Sequence, residues 1–152
     1  MNGYHLAQLN IARARAPMDD PAMADFVARL DAINALADAA PGFVWRLQDD
    51  SGNATAIQAF TDPHLLVNMS VWDSAEALFA YVYKTGHAKV LARRGDWFER
   101  GEAAGMALWW VPAGHRPSLD EAKARLEALR RNGPGPAAFT FKDQYPAPAR
   151  AA

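Results

Sequence analysis

Three short stretches of this chain alternate between apolar residues and residues that can hydrogen-bond or stack: Gln8 and Asn10; Arg46 and Gln48; Asn68, Ser70 and Trp72. The intervening positions are apolar: Ala7, Leu9 and Ile11; Phe43, Trp45 and Leu47; Val67, Met69 and Val71. If the stretches are strands of one sheet, one face is apolar and the other presents amides, a hydroxyl, a guanidinium and an indole. Either Trp109 or Trp110 adds a further ring to that mixed face. A water-facing sheet more usually carries Lys, Glu and Thr. Uncharged amides beside tryptophan suit a partly closed cavity in which a few polar groups orient a small ligand. A polar layer between two subunits would use the same residues, and the sequence leaves both readings open.

His87 is the leading titratable candidate. It follows Gly86 and shares a helical face with Val90, Leu91 and Arg94, one turn beyond Tyr83. A histidine so placed can act as a general base or as an axial ligand to haem iron; the plainer reading is a half-buried histidine at a helix start. It has no second histidine or carboxylate three or four residues on, so a zinc or di-iron site lacks ligands. His115 lies in a loop leading into a helix, His5 falls on the apolar parity and His64 follows a turn proline, all positions that suit structural roles. No serine sits in a glycine elbow, which disfavours a hydrolase. Gly133-Pro134-Gly135-Pro136 cannot cradle phosphate, because proline removes the donor amides.

Composition narrows the field further. With 51% hydrophobic and 22% charged residues, the 152-residue chain has ordinary globular usage and enough length for a core. A net charge of −1 gives nothing to hold a phosphate backbone, so nucleic acid is not an expected partner. Cysteine is absent, which removes disulfides, thiolate metal sites and thiol nucleophiles together. Met1 to Ile11 has no cationic region followed by an apolar one, and no apolar run approaches the ~20 residues that span a bilayer. The expectation is a cytoplasmic protein with no membrane partner.

The elements that must position these residues follow from periodicity. Tyr4 to Ala12 alternates as a strand. Asp20 before Pro21 starts a helix, with Met23, Phe26, Val27, Leu30, Ile33 and Ala37 at helical spacing until Pro41-Gly42 ends it. Phe43 to Gln48 and Leu65 to Trp72 read as strands, with a short return strand over Ala54 to Phe60. Asp73 and Glu76 have capping-box spacing ahead of Leu78, Phe79, Val82 and Tyr83, and a second helical piece resumes at His87 and runs to about Trp97. Met106 to Val111 is a fourth strand. Ser118 and Glu121 cap a last helix carrying Ala122, Leu126 and Leu129, which stops at Asn132-Gly133-Pro134, and Phe139 to Phe141 adds an edge strand. Residues 1–145 form one domain and 146–152 a frayed tail. Strand, helix, strand, strand, helix, strand is the ferredoxin-like split βαβ order: an α+β fold, an antiparallel sheet with helices on one face.

Tyr4-His5-Leu6-Ala7-Gln8-Leu9-Asn10, Pro41-Gly42-Phe43-Val44-Trp45-Arg46, Asn68-Met69-Ser70-Val71-Trp72 and Trp109-Trp110-Val111-Pro112-Ala113-Gly114-His115-Arg116-Pro117 resemble a bacterial family, a domain of unassigned function within the dimeric α+β barrel superfamily. Antibiotic-biosynthesis monooxygenases are among its relatives. The resemblance runs through Ala138-Phe139-Thr140-Phe141 and implies the barrel fold and a homodimer, with no established reaction. Cofactor-free members of the superfamily let an electron-rich substrate react with oxygen. A looser likeness to spheroidene monooxygenase, a haem protein, covers Ser70-Val71-Trp72, Tyr83, His87, Arg94 and Trp97-Phe98, and places His87 where that protein's haem-coordinating histidine stands.

Together these readings expect a small-molecule-binding, monooxygenase-like protein. His87 would be its catalytic base, and Gln8, Asn10, Arg46, Asn68, Ser70, Trp72, Arg94 and Trp109 its ligand contacts. Its ligand would be a small hydrophobic or aromatic molecule, with no cofactor required. A non-catalytic binding module, or a haem protein with His87 as axial ligand, is the alternative. The chain would pair with a second copy through the mixed face, because Leu6, Trp72 and a tryptophan of the 109–110 pair are too apolar to leave in water.

Overall fold

The computed structural model of the chain describes residues 3–48, 60, 62, 64–99 and 105–148. Strands β1 (Tyr4–Arg13), β2 (Phe43–Arg46), β3 (Leu65–Trp72) and β4 (Met106–Pro112) form one antiparallel sheet in the order β2-β3-β1-β4. The long strand β1 runs down the middle, with Gln8 opposite Ser70 on one side and Leu108 on the other. The helices are α1 (Ala24–Ala39), α2 (Ala75–Lys84), α3 (His87–Ala92), α4 (Arg94–Trp97) and α5 (Leu119–Asn132). This is the expected α+β, ferredoxin-like order, with α5 added after the last strand. The return strand expected over Ala54 to Phe60 lies, but for Phe60, outside the described residues.

Local chemistry sets most boundaries. Asp20 Oδ1 accepts from the Ala22 backbone N–H at 2.8 Å and opens a short 3₁₀ turn, Pro21–Met23, that leads into α1. The chain leaves α1 through Gly42, whose φ of +82° is open to glycine; a Cβ there would stand 2.5 Å from Ala77 Cβ. Ser74, not Asp73, caps α2, its hydroxyl accepting from Ala77 N–H at 3.1 Å. Asp73 N–H is instead taken by Gly42 O at 2.8 Å, which ties the start of β2 to the end of β3 and shifts the cap by one residue. Ser118 caps α5 as expected. Phe139 pairs with Leu108 through two backbone hydrogen bonds of 2.8 Å, a single bridge on the β4 edge where a short strand was expected.

The two faces of the sheet are both covered, and this corrects the expectation of helices on one face. The apolar parity, Ala7, Leu9, Ile11, Val67, Met69 and Val71, packs with Trp109 and Val111 under Ala122, Leu126 and Leu129 of α5. A helix after the fourth strand is not part of the split βαβ order; the chain supplies α5 from its C-terminal third, and α5 covers this apolar face. Helices α1 to α4 lie over the mixed face instead. Leu6 and Trp72, read above as interface residues, are fully buried within one chain, so the mixed face is not available for pairing two sheets.

Strand β2 carries one further departure. Register slips between Phe43 and Trp45: Phe43 lies opposite Trp72, while Trp45 lies opposite Val71. The bulge sends Phe43 to the mixed face, where its ring meets Trp72 edge-on at 5.4 Å, and leaves Trp45 with the α5 core. Strict alternation had put both on the same side.

Candidate functional site

Between the mixed face and α1–α4 lies a cavity of about 390 Å³. Its floor is the polar parity of the central strands. Gln8 Nε2 donates to Asn68 Oδ1 at 2.6 Å and to Ser70 Oγ at 2.8 Å, and the Trp72 indole Nε1 donates to the same Ser70 oxygen at 2.8 Å. The bonds cross between β1 and β3 because Gln8 faces Ser70 and Asn10 faces Asn68 in the ladder. With both Gln8 amide hydrogens used, its Oε1 is the remaining acceptor; with Asn68 Oδ1 filled, its Nδ2 keeps two donors. Asn68 is exposed although Val67, Met69 and Ser70 around it are buried, so its amide is open to an occupant of the cavity.

The walls come from the helices. Leu30, Ile33 and Ala37 of α1 and Leu78 and Val82 of α2 are apolar; Phe26 and Trp97 close one end. Tyr81 stacks on Trp72 with ring centres 5.1 Å apart and gives its hydroxyl hydrogen to Ile33 O at 3.1 Å. Burial pushes its phenol up to about 12, so it stays protonated. Tyr81 was missed in the sequence, although it stands three residues after Leu78 on the same helical face. Asn34, on α1, is a second lining residue that was not singled out.

His87 lines the cavity at the head of α3, its ring 5.0 Å from that of Tyr81. Nδ1 stands 3.2 Å from Val82 O, and a carbonyl only accepts, so Nδ1 carries the proton of the neutral ring. Nε2 is then the basic nitrogen, with no hydrogen-bond partner among the described residues. Desolvation lowers the imidazole pKa below its ordinary value, against the smaller opposing effect of the Val82 bond. The ring is therefore neutral near pH 7 and can accept a proton. Sharp bending before it comes from Thr85, whose hydroxyl donates to Tyr81 O and whose Oγ1 accepts from His87 N–H.

Arg46 also borders the cavity, its guanidinium bound to Asp38 through Nε at 2.8 Å and Nη2 at 3.3 Å. Arg94 lies exposed at the mouth. The structure thus brings Gln8, Asn10, Arg46, Asn68, Ser70, Trp72, His87 and Arg94 around one space. Trp109 is not there. It is buried on the opposite face beneath α5, with Nε1 donating to Glu121 Oε2 at 2.9 Å. Ladder parity explains this: Ala7, on the α5 face, faces Trp109, and Leu6 faces Trp110. Trp110, on the mixed-face side, sits away from the cavity and donates to Tyr145 O at 2.9 Å. Glu121, held below its usual pKa by His115 and Trp109 despite the opposing effect of burial, also anchors His115 Nε2 at 2.7 Å; His115 bonds a carboxylate, not local backbone.

Residues 5–152 match the family model described as Domain of unknown function (DUF3291). The chain belongs to the DUF3291 family. No curated protein matches the sequence. Among solved structures, this DUF3291 chain is similar to Rv0793 from Mycobacterium tuberculosis, at 18% identity over 75% of this chain and 99% of that one, with a TM-score of 0.50. It is also similar to the NE2512 protein of unknown function from Nitrosomonas europaea, at 17% identity over 78% and 99% of the two chains and a TM-score of 0.46. SnoaB, a cofactor-independent oxygenase from Streptomyces nogalater, matches at 15% identity over 76% of the DUF3291 chain and 97% of its own, with a TM-score of 0.43. At these identities the likeness concerns the fold alone. No helix among the described residues is long and apolar enough to cross a membrane, and none of their His, Asp and Glu side chains cluster as a metal site.

Proposed function

We propose that the chain binds a compact aromatic molecule in the cavity over the mixed sheet face and promotes its reaction with dioxygen without a bound cofactor. The observation that carries this reading is the pairing of a neutral histidine, Nε2 unengaged, with an apolar cavity whose floor presents the free Asn68 amide. A substrate with a methylene acidified by conjugation with a carbonyl would give one of its protons to Nε2 of His87, the second hydrogen leaving with the departing oxygen. Asn68 Nδ2 would donate to the carbonyl oxygen, where the charge collects. The carbanion then reduces dioxygen with its own electrons: one oxygen atom is kept as a new carbonyl and the other leaves as water. The protein's part is orientation, proton removal and a dry space.

About 390 Å³ lies at the small end of the roughly 300–1,000 Å³ of small-molecule pockets and suits a bicyclic or tricyclic ring system. Haem finds one nitrogen ligand in His87 Nε2, but its tetrapyrrole is wide for this space.

Anthrone, a tricycle with an acidic methylene, tests the reading in an oxygen electrode with chelator present and no nicotinamide or flavin. Oxygen uptake matched one to one by anthraquinone, and lost in His87→Gln, is the expected result. Uptake no faster than in buffer contradicts the oxygenase; tight binding without uptake would instead mark a ligand-binding module.

A further inference from the structure

Charge is distributed unevenly around the cavity. Among its described lining residues stand two arginines, Arg46 and Arg94, and no aspartate or glutamate. Arg46 is held by Asp38. Among the described residues, four nearby carboxylates are likewise paired: Arg13 with Asp62 and Glu99, and Arg93 with Asp25 and Asp96. The Arg94 side chain makes no hydrogen bond or ion pair among the described residues; only its backbone carbonyl is engaged, accepting from Phe98 N–H at 2.9 Å. It stands at the mouth of a space with apolar walls and a polar floor, at the start of α4, just after the helix α3 that carries His87, Val90 and Leu91. Low-dielectric walls concentrate the field of such a cation, and a guanidinium presents a planar fork that matches a carboxylate.

We infer that the ligand of this cavity is a compact aromatic monoanion, its ring system against Trp72 and Tyr81 and its carboxylate, or equivalent anionic oxygen, on Arg94. This rests on the cavity being the ligand site, and it adds the charge and the orientation. The neutral floor turns the uncharged end of the molecule inward: Asn68 Nδ2 takes a carbonyl or ether oxygen and Gln8 Oε1 takes a hydroxyl. Arg94 sets specificity at the mouth, while Arg46, already neutralised by Asp38, adds little to the attraction.

Paired probes separate the charge from the cavity. 2-Naphthoate and 2-naphthamide share one ring system and differ in charge; their binding is read by calorimetry on the whole chain at low and high salt. The naphthoate should bind about 10- to 100-fold more tightly than the amide, the range of one charge-assisted contact, and the gap should narrow as salt rises. Arg94→Gln should remove the gap and leave amide binding unchanged, whereas Arg116→Gln, in the loop after β4 and away from the cavity, should change neither. Equal affinities for the two probes, or a loss in Arg94→Gln that falls on both alike, would overturn the inference while leaving the aromatic cavity standing. Binding of neither probe would overturn both.

Discussion

Nδ1 of His87 stands 3.2 Å from the carbonyl oxygen of Val82, five residues back along the chain. The bond fixes which nitrogen of the neutral ring is basic, and burial decides that the ring is neutral. Both consequences are open to measurement.

The folded-state pKa of His87 is lowered, chiefly by desolvation. Its neutral form therefore persists to below the ordinary histidine value of about 6.5. Activity that uses Nε2 as a base should rise with pH through a value below 6.5 and be level at neutrality. Stability carries the same sign: the unfolded chain takes up the proton first, so stability falls as pH drops from about 6.5 through the folded pKa. His87→Gln should flatten that part of the pH–stability curve and lower turnover of a found substrate by ~10²–10⁴-fold. Unfolding curves of the two proteins at a series of pH values check the first part; an unchanged slope in the variant would place the titration elsewhere.

Ser70 is the oxygen on which the floor converges. Its hydroxyl accepts from both Gln8 Nε2 and Trp72 Nε1, and the residue is buried. Ser70→Ala leaves an indole N–H and an amide N–H short of an acceptor, each worth ~1–3 kcal/mol when unsatisfied. Denaturant unfolding should show a loss of about 2–6 kcal/mol for the two donors together, and ligand affinity should fall as the Trp72 ring loosens. A variant as stable as the parent would mean that water replaces the hydroxyl.

Helices α1 and α5 should respond differently to truncation. Leu126, at 2% exposure, is packed under the sheet, and Leu126→Ala should cost ~2–5 kcal/mol. Leu30 is half-buried and faces the cavity, so Leu30→Ala enlarges a space that already exists and should cost less than about 2 kcal/mol. The Leu30 change should instead alter which ring systems bind. Thermal unfolding of both variants orders them; a larger loss at Leu30 would contradict the placement of the cavity.

Trp109→Phe keeps a ring beneath α5 and removes the bond to Glu121 Oε2. A modest stability loss of about 1 kcal/mol is expected, with ligand binding unaffected. Weaker binding in this variant would argue that the α5 face communicates with the cavity.

Much of this arrangement could be read from residue pattern, and the exceptions have physical causes. Period-two alternation located β1 and β3 and named Gln8, Asn10, Asn68, Ser70 and Trp72 as one polar set, because side chains on a sheet face are fixed by parity alone. Parity does not say which face a helix will cover. The expectation put α1 and α2 on the apolar side; in the structure α5 takes that side, and the polar set lies under the other helices. Phe43 was misplaced for a related reason, since a bulge is invisible to a count by twos. Choosing between Trp109 and Trp110 needed the register against β1, which adjacent tryptophans do not disclose. His87 was legible because Gly86 and the spacing of Val90 and Leu91 announced a new helix there. Tyr81 was not, because Phe79 and Tyr83 beside it are aromatic too, and the sequence does not say which of the three rings packs inward.

The most direct measurement is a crystal structure of the chain with 2-naphthamide, whose lack of charge separates the cavity from any attraction at Arg94. The account predicts the ring system between the mixed sheet face and α1–α2, near Trp72 and Tyr81, with the amide oxygen within hydrogen-bond distance of Asn68 Nδ2. A complex in which the ring lies on the outer surface or against α5, with the cavity collapsed or filled by water alone, would contradict it.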